Sequence, residues 1–277
     1  MKSLVLGCAQ WGQGYGVTNS RGRLDDADLA AIIAVAHAND VRDIDTAPGY
    51  GDAQQRLRPW AREFSISTKV KGAEPDSVAS SLRESMAALD LPAVAGCLIH
   101  DWATLDDDQA TAAAGVLEQA RADGLVGRVG VSAYDEADLE RARRLFTRLD
   151  AVQVPLSPVD RRLDESPVVR QLAASGTVFE ARSVFLQGLL LTPSTTPQGR
   201  HPVIVAFHEH CREMGRTPVE VCLGHARAVP WVSRIVVGVT SGLELAELAA
   251  AWSETPAQLV DPSWGTDDLS LIDPRRW

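Results

Sequence analysis

The sequence predicts a closed barrel of eight parallel β-strands alternating with helices, a (β/α)8 or TIM barrel. Eight short apolar runs are suited to strands that are buried on both faces, and amphipathic stretches with helical spacing lie between them. Neither a long linker nor a low-complexity segment interrupts the 277 residues, and barrels of this kind commonly occupy about 250 residues as one unit. We therefore expect a single barrel domain over residues 1–277.

The strand prediction depends on apolar runs bounded by polar or turn-forming residues. These runs lie at residues 4–8, 43–45, 65–69, 95–100, 128–132, 151–154, 177–181 and 234–238. Their spacing is uneven only before the last run, where residues 191–202 are rich in Ser, Thr, Pro and Gly and predict a long loop able to cover a ligand. The tail beyond Leu259 predicts an irregular surface strap that ends at Trp277.

The helix prediction depends on apolar stripes at three- and four-residue spacing. Asp25 and Asp26 precede the first stripe and are suited to cap a helix start. Gly124 follows the second stripe, where a left-handed cap is needed. The three stripes are Leu29, Ile32, Ile33 and Ala36; Ala110, Ala113, Leu117 and Ala120; and Leu139, Ala142 and Phe146.

Composition and charge exclude several classes of protein. With 45% hydrophobic and 23% charged residues the chain resembles an ordinary globular protein, and no apolar run approaches the roughly 20 residues of a transmembrane helix. A formal net charge of −10 disfavours nucleic acid, whose phosphates need clustered Lys and Arg. The cysteines are scattered without CxxC spacing, which argues against a zinc site or a disulfide framework. We expect a cytoplasmic protein with a small-molecule partner, and we make no prediction of its oligomeric state.

Polar residues at the ends of consecutive strands are the candidates for chemistry, because catalytic groups of such barrels lie where strands end. Asp45 ends the second strand, Tyr50 follows it, Lys69 ends the third strand and His100 ends the fourth. A carbonyl that accepts hydride develops alkoxide charge, which a Tyr hydroxyl can neutralise by giving up a proton. We expect the Lys69 ammonium to lower the pKa of Tyr50, Asp45 to keep Lys69 charged, and His100 to orient the substrate oxygen.

These residues stand in strings that resemble the aldo-keto reductases. DTAPGYG at 45–51 is similar to the D-T-A-x-x-Y-G signature of that family, and further matches follow in the family's order along nearly the whole chain. They are STK at 67–69, LIH at 98–100, GRVGVS at 127–132, VQVP at 152–155 and IVVGVTSGLEL at 235–245. The resemblance implies Tyr50 as proton donor, Lys69 and Asp45 as its tuning pair and His100 as substrate orienter.

The resemblance also implies a nicotinamide cofactor. It places Ser132 and Gln153 at the carboxamide of the nicotinamide, which needs one acceptor and one donor. The family's usual Ser-Asn pair is Ser132 followed by Ala133 here, and Arg182 stands where an aromatic residue commonly stacks on the ring; a planar guanidinium can stack instead. The string RSVFLQG at 182–188 looks like that of a bacterial branch of the family. By this resemblance Ser183, Phe185, Gln187 and Gly188 pack along the pyrophosphate and ribose.

At the adenosine end the resemblance implies binding by Gly238, Thr240, Ser241, Glu244 and Glu247. Family habit favours NADP(H). Ser241 and Glu244 occupy positions where basic residues often grip a 2'-phosphate, and a carboxylate there favours a free ribose hydroxyl. NADP(H) is therefore expected ahead of NAD(H), which stays open.

Aromatic residues near the predicted barrel mouth are candidates for a substrate wall. Trp11, Tyr15, Trp102 and Phe185 lie on or near loops expected there, and packing is the alternative for each. The His208-Glu209-His210 string lacks the spacing that places two metal ligands on one helix face, so no metal is expected.

Together these observations predict an NAD(P)(H)-dependent oxidoreductase that acts on a small or medium-sized aldehyde, ketone or alcohol without a metal. Two alternatives stay open, because fold does not dictate function. One is a cofactor-binding regulatory or accessory subunit. The other is a redox-neutral enzyme, such as an epimerase or dehydratase, that uses the same Tyr and Lys for proton transfer.

Overall fold

Eight parallel strands close into a barrel. The computed structural model describes residues 2–193 and 195–277, and its strands pair in chain order, with the last joined to the first. They are β1 (Ser3–Gly7), β2 (Asp43–Asp45), β3 (Ser65–Val70), β4 (Val94–Ile99), β5 (Val126–Ser132), β6 (Ala151–Pro155), β7 (Val178–Arg182) and β8 (Arg234–Gly238). Each overlaps one of the eight predicted runs, with ends that differ by one or two residues at most. The predicted (β/α)8 fold is confirmed.

Helices lie between the strands and around the barrel. They are α1 (Ala9–Gly12), α2 (Asp26–Ala38), α3 (Ala53–Leu57), α4 (Pro75–Leu89), α5 (Asp107–Ala122), α6 (Glu136–Leu145), α7 (Pro167–Ala174), α8 (Pro202–Glu213), α9 (Pro218–Ala228), α10 (Gly242–Glu254) and α11 (Leu269–Ile272). The first two predicted stripes are the buried faces of α2 and α5. Asp25, rather than Asp26, is the cap of α2 and accepts from the Asp28 amide.

The third predicted stripe needs a correction at its end. Leu139 and Ala142 are buried on α6, but Phe146 follows the last helical residue and has an extended backbone. Its ring is still buried and packs against Trp102, with ring centroids 5.9 Å apart. The residue therefore belongs to the same apolar layer without belonging to the helix.

The two irregular segments behave differently. Within the predicted loop at 191–202, Pro202 begins α8, Ser194 lies outside the described residues, and Leu191 and Thr192 line the main cavity. The tail is more ordered than the expected surface strap, because it contains α11, whose Leu271 and Ile272 are buried. Near its end the Arg275 guanidinium lies 3.6 Å from the ring centre of Tyr134, which follows β5.

The four cysteines of the chain are buried free thiols. Within residues 2–193 and 195–277, no helix has both the length and the apolarity needed to cross a bilayer. A cytoplasmic location stays a prediction.

The barrel encloses a polar interior. Asp45 on β2 and Gln153 on β6 are in hydrogen-bond contact, with Gln153 Nε2 3.0 Å from Asp45 Oδ1, although these strands are not neighbours in the closed sheet. Such side chains can meet only through the inside of the barrel. The apolar core accordingly lies between the strands and the helices. Charged and polar side chains occupy the inside of the barrel up to the cavity at its mouth.

Candidate active site

Asp45, Lys69 and Tyr50 form one hydrogen-bonded cluster. The Lys69 ammonium lies 2.6 and 2.5 Å from the two oxygens of Asp45 and donates to Tyr50 Oη at 3.1 Å. The strand ends of β2 and β3 are neighbours in the sheet, which places the carboxylate beside the ammonium. The structure therefore brings together three of the four residues predicted to carry the chemistry.

The loop that carries Tyr50 is held by a close contact between two backbones. A Cβ atom on Gly12 would lie 1.9 Å from the Tyr50 carbonyl oxygen, and one on Gly51 would lie 2.3 Å from the Gly12 carbonyl oxygen. Gly51 also has a φ of +61°, which favours glycine. The absence of a side chain at Gly12, the last residue of α1, thus allows the loop that carries Tyr50 to approach.

Burial and charge act against each other at this cluster. Burial alone would lower the pKa of Lys69, but Asp45 and then Tyr50 raise it above its ordinary value. Burial raises the pKa of Tyr50 to about 12, although Lys69 acts to lower it. Lys69 therefore acts in the expected direction, but the net shift in the pKa of Tyr50 is upward, because loss of solvent outweighs the neighbouring cation. Tyr50 is a protonated phenol at neutral pH.

His100 lies edge-on to the phenol ring, with ring centroids 6.1 Å apart. Burial, followed by the charge of Lys69, lowers the pKa of His100 to about 4. The imidazole is therefore neutral near pH 7 and offers one donor and one acceptor nitrogen. No hydrogen bond to either nitrogen occurs within the described residues.

A cavity of about 370 Å³ runs from this cluster to the beginning of α10. Its volume falls within the range typical of small-molecule and cofactor sites. Twelve of the residues singled out from the sequence line it: Tyr15, Asp45, Tyr50, Gln153, Arg182, Ser183, Phe185, Gln187, Gly188, Gly238, Thr240 and Glu244.

The segment after β7 has an unusual backbone along this cavity. Ser183, Leu186 and Gln187 adopt positive φ angles of 59°, 46° and 53°, which cost non-glycine residues about 1–2 kcal/mol each. Such backbone strain clusters at ligand sites. The Gln187 carbonyl oxygen accepts from the Val17 amide at 3.1 Å, so the loops after β1 and β7 meet across the cavity.

Arg182 turns toward the end of β5. Its guanidinium lies 4.3 Å from the ring centre of Tyr134 and donates to the Ala133 carbonyl oxygen at 3.1 Å. Tyr134 is thus flanked by Arg182 and by Arg275 of the C-terminal tail. Arg182 therefore lies beside Ala133, the residue that follows Ser132 in the sequence.

At the far end of the cavity the groups are exposed to solvent. Glu244 accepts from the Thr240 amide at 2.6 Å and from its hydroxyl at 2.7 Å. Arg21, from the loop after β1, donates to the Thr240 carbonyl oxygen at 3.0 Å and pairs with Asp28 at 2.6 Å. A carboxylate and a guanidinium therefore stand together at this end.

Seven predicted site residues do not line the cavity. Lys69 lies behind Asp45 and Tyr50, Ser132 is buried beside Gln153 in the sheet, and His100 stands beside Tyr50. Ser241 caps α10 by accepting from the Glu244 amide, and Glu247 is an exposed residue of the same helix. The other two are the aromatic residues Trp11 and Trp102.

Trp11 and Trp102 are fully buried instead of forming a cavity wall. The Trp102 indole donates to the Asp138 carbonyl oxygen at 3.0 Å, and Arg141 stacks on its ring at 4.6 Å. The interpretation of these two as packing residues therefore agrees with their positions. Tyr15 and Phe185 reach the cavity.

Sequence reasoning did not single out Arg21 or Glu180. Arg21 gives no sequence signal, since it is 219 positions from the Thr240 that it contacts. Glu180 carries one: it is a carboxylate within an apolar strand, two residues before Arg182 and thus on the same face of β7.

The histidines of α8 have separate partners. His208 contacts the Leu189 carbonyl oxygen at 3.1 Å, and His210 stacks on Trp264 with ring centroids 4.6 Å apart. Over residues 2–193 and 195–277, no three His, Cys, Asp or Glu side chains form a group suited to a metal ion.

Comparison with known proteins agrees with this architecture. The sequence profile described as the Aldo/keto reductase family matches residues 3–261. A search of curated proteins returned no significant match.

Three solved structures have similar folds. A Pseudomonas aeruginosa protein assigned to the aldo-keto reductases is 22% identical, with a TM-score of 0.70 over 91% of this chain and 90% of that one. An aldo-keto reductase from Bacillus halodurans in its holo form is 15% identical, with a TM-score of 0.76 over 94% of each chain. A thermostable aldo-keto reductase in complex with the inhibitor epalrestat is 20% identical, with a TM-score of 0.69 over 95% of this chain and 93% of that one. At these identities the likeness concerns the fold alone.

The family profile is independent of those folds and covers nearly the whole sequence. This chain belongs to the aldo/keto reductase family and is an oxidoreductase enzyme.

Proposed function

We propose that this enzyme reduces the carbonyl group of a small or medium-sized aldehyde or ketone, or catalyses the reverse reaction, with Tyr50 as the acid or base. The proposal depends on one observation above all: a protonated phenol on the cavity wall accepts from a buried ammonium that is itself held by a carboxylate. A donor fixed beside a cavity is suited to an oxygen that gains negative charge.

Four residues of the chain have separate roles in the proposed carbonyl reduction. A bound dihydronicotinamide would supply the hydride. Tyr50 Oη donates a proton to the substrate oxygen as charge develops there, and the phenolate that remains is stabilised by the Lys69 ammonium. Asp45 keeps that ammonium charged in a buried place. Neutral His100 orients the substrate oxygen through a ring nitrogen.

The cavity is suited to a nicotinamide dinucleotide. Gln153 Nε2 is occupied by Asp45, whereas Oε1 has no hydrogen bond within the described residues, so it is free to accept from a carboxamide. The segment at 183–188 would follow the pyrophosphate and ribose, and the N-terminus of α10 would receive the adenosine end. Ser132 and Arg182 would complete the nicotinamide site, with Arg182 supplying a donor near Ala133.

We propose NADP(H) as the preferred dinucleotide, ahead of NAD(H). Arg21 supplies the cation that residues 238–247 lack, and it lies at the cavity beside Thr240. Glu244 acts in the opposite direction, because its carboxylate repels a 2'-phosphate. The preference is consequently small.

The experiment that tests the function is turnover of a panel of aldehydes and ketones with NADPH and with NADH. We expect stoichiometric consumption of the dinucleotide, and a loss of kcat of about 10²- to 10⁴-fold in Tyr50→Phe, because the variant loses its general acid. Fluorescence titration should show that the variant still binds the dinucleotide.

Two outcomes would reject this function. Unchanged turnover in Tyr50→Phe would remove the proposed acid. Tight binding of the dinucleotide with none consumed across the panel would favour a redox-neutral reaction.

A further inference from the structure

Glu180 is a buried carboxyl that the reaction described above does not use. It lies on β7 inside the barrel with an exposed fraction of 2%. Its Oε2 accepts from Gln153 Nε2 at 3.2 Å, and its Oε1 lies 3.7 Å from the Arg234 guanidinium. Arg234 is also paired with Asp43 at 3.2 Å.

We propose that Glu180 is a positioning residue that, together with Asp45, fixes the orientation of the Gln153 amide and so presents Gln153 Oε1 to the nicotinamide carboxamide. This inference rests on the proposed function, because it specifies how the nicotinamide is held. It assigns no proton transfer to Glu180.

The argument begins with the hydrogen-bonding capacity of an amide. The Gln153 NH2 group has two hydrogens, and two carboxylates accept from it: Asp45 at 3.0 Å and Glu180 at 3.2 Å. An ionised carboxylate only accepts hydrogen bonds. Rotating the amide by half a turn would place Oε1 against both carboxylates, so that two hydrogen bonds would be replaced by two repulsive contacts between oxygens, which is costly for buried groups.

The Gln153 side chain presents one polar atom to the cavity. Because both carboxylates hold Nε2, Oε1 is the polar atom of the side chain left for a ligand, and Gln153 lines the cavity. Oε1 accepts, so it selects the NH2 group of a carboxamide rather than its oxygen. That choice fixes the side on which the carboxamide NH2 lies. Together with a donor to the carboxamide oxygen, it would fix which face of the nicotinamide ring is turned toward Tyr50.

The third step separates Glu180 from Asp45. Asp45 already holds Lys69, so changing it would disturb the acid as well as the amide. Glu180 has no hydrogen bond or ion pair with Lys69 or Tyr50, and its polar partners are the Gln153 amide and Arg234. Glu180→Gln is therefore the variant that changes the amide environment and leaves the proton donor in place.

The test compares two dinucleotides that differ at the carboxamide. The first is the natural reduced cofactor, and the second is its 3-acetylpyridine analogue, matched in its 2' group, in which a methyl group replaces the NH2. In wild type we expect the natural cofactor to bind more tightly. Glu180→Gln should raise the Kd of the natural cofactor by about three- to ten-fold, the contribution of one hydrogen bond. It should change the Kd of the analogue by less than about two-fold.

A matched cycle with Gln153→Ala tests whether Glu180 acts through the amide. In that background Glu180→Gln should have no further effect on the ratio of the two dissociation constants, since the group it orients is gone. An equal loss for both dinucleotides in Glu180→Gln, or a loss that persists in the Gln153→Ala background, would overturn the proposal and leave Glu180 a structural residue.

If the Glu180→Gln variant does not fold, the ratio of the two dissociation constants can be measured in wild type as a function of pH. Burial, and then the charge of Asp45, raises the pKa of Glu180; once protonated, Glu180 no longer excludes the rotated amide. We expect the preference for the natural cofactor to shrink as pH falls, and a constant ratio down to mildly acidic pH would contradict the proposal. The charged groups that face Glu180 from the other strands are Asp43, Asp45, Lys69, Arg128 and Arg234.

Failure of the proposed function looks different. If wild type binds neither dinucleotide, the proposed cofactor is wrong and the role of Glu180 falls with it. If both dinucleotides bind and only the ratio fails to respond, the function stands and the orienting role is rejected.

Discussion

The two ends of the cavity use the same chemical groups under different conditions. At the proposed reaction end Asp45 and Lys69 have side chains exposed by 4% and 1%, whereas at the proposed adenosine end Arg21 is exposed by 46% and its partner Asp28 by 19%. Both ends hold a carboxylate and a cation within hydrogen-bond distance. Burial decides how strong the interaction within each pair is, because water and salt screen the exposed pair.

Under the proposed function, this difference explains why catalysis is assigned to the buried end and the choice between cofactors to the exposed end. At the buried end desolvation is large enough to raise the pKa of Tyr50 to about 12 and to lower that of His100 to about 4, so Tyr50 on the cavity wall is a phenol, and His100 beside it is a neutral imidazole, over a wide pH range. At the exposed end a charge changes affinity by a small factor, which is suited to a preference between two cofactors.

The largest expected effect comes from breaking the buried pair. Lys69→Met leaves Asp45 as a buried charge without its ion-pair partner, which should cost about 3–5 kcal/mol in the free energy of unfolding and abolish measurable turnover. Urea denaturation of the variant measures this loss.

The matched control for that prediction is the double variant Asp45→Asn, Lys69→Met. It removes both charges, so it should recover most of the lost stability while turnover stays absent. A double variant that is no more stable than Lys69→Met would show that repacking, and not the unpaired carboxylate, causes the loss.

Next in size is the response to pH. The folded-state pKa of His100, about 4, lies below its ordinary value of 6.5; the unfolded chain therefore binds more protons between these values, and stability falls as pH drops from 6.5 to 4. In His100→Gln this part of the acid destabilisation should disappear. His225, whose pKa is also lowered to about 4 by burial, should keep its own contribution.

The same shifts predict the pH profile of reduction. Because His100 titrates near 4 and Tyr50 near 12, kcat/KM should be nearly constant around neutrality, without the break that an unshifted histidine would produce. A steep change in kcat/KM between pH 6.5 and neutrality would show that the cavity is wetter than its burial indicates.

The smallest expected effect lies at the exposed end. Arg21→Gln should weaken the binding of NADPH relative to that of NADH by about two- to five-fold, because exposed charge pairs contribute about 0.2–1 kcal/mol. Glu244→Gln should strengthen the binding of NADPH by a similar factor. Both effects should decline at 1 M salt, where the screening length is about 3 Å. If the effect of one of these two variants declined with salt at constant pH and the effect of the other did not, the second residue would act through a direct hydrogen bond to the dinucleotide instead of charge attraction.

Much of the molecule follows from local sequence. The eight strands follow from their apolar runs, and the faces of α2 and α5 from their spacing, because a period of 3.6 residues leaves few alternatives. Asp45, Tyr50 and Lys69 were expected to meet because the ends of neighbouring strands of a closed barrel lie at the same mouth. The resemblance of the DTAPGYG and STK strings to those of the family implied the same three residues.

Only the tertiary structure decided the rest. Trp11 and Trp102 occur next to strand ends, as cavity residues do, and nothing local distinguishes a ring that faces the core. The sign of the Tyr50 pKa shift is a balance between burial and Lys69, and burial depends on every neighbour. Arg21 and the contact of Asp45 and Glu180 with Gln153 join residues far apart in the chain. The sequence determined which groups the barrel carries, and closure of the barrel determined which of them share one amide, because that contact exists only across its interior.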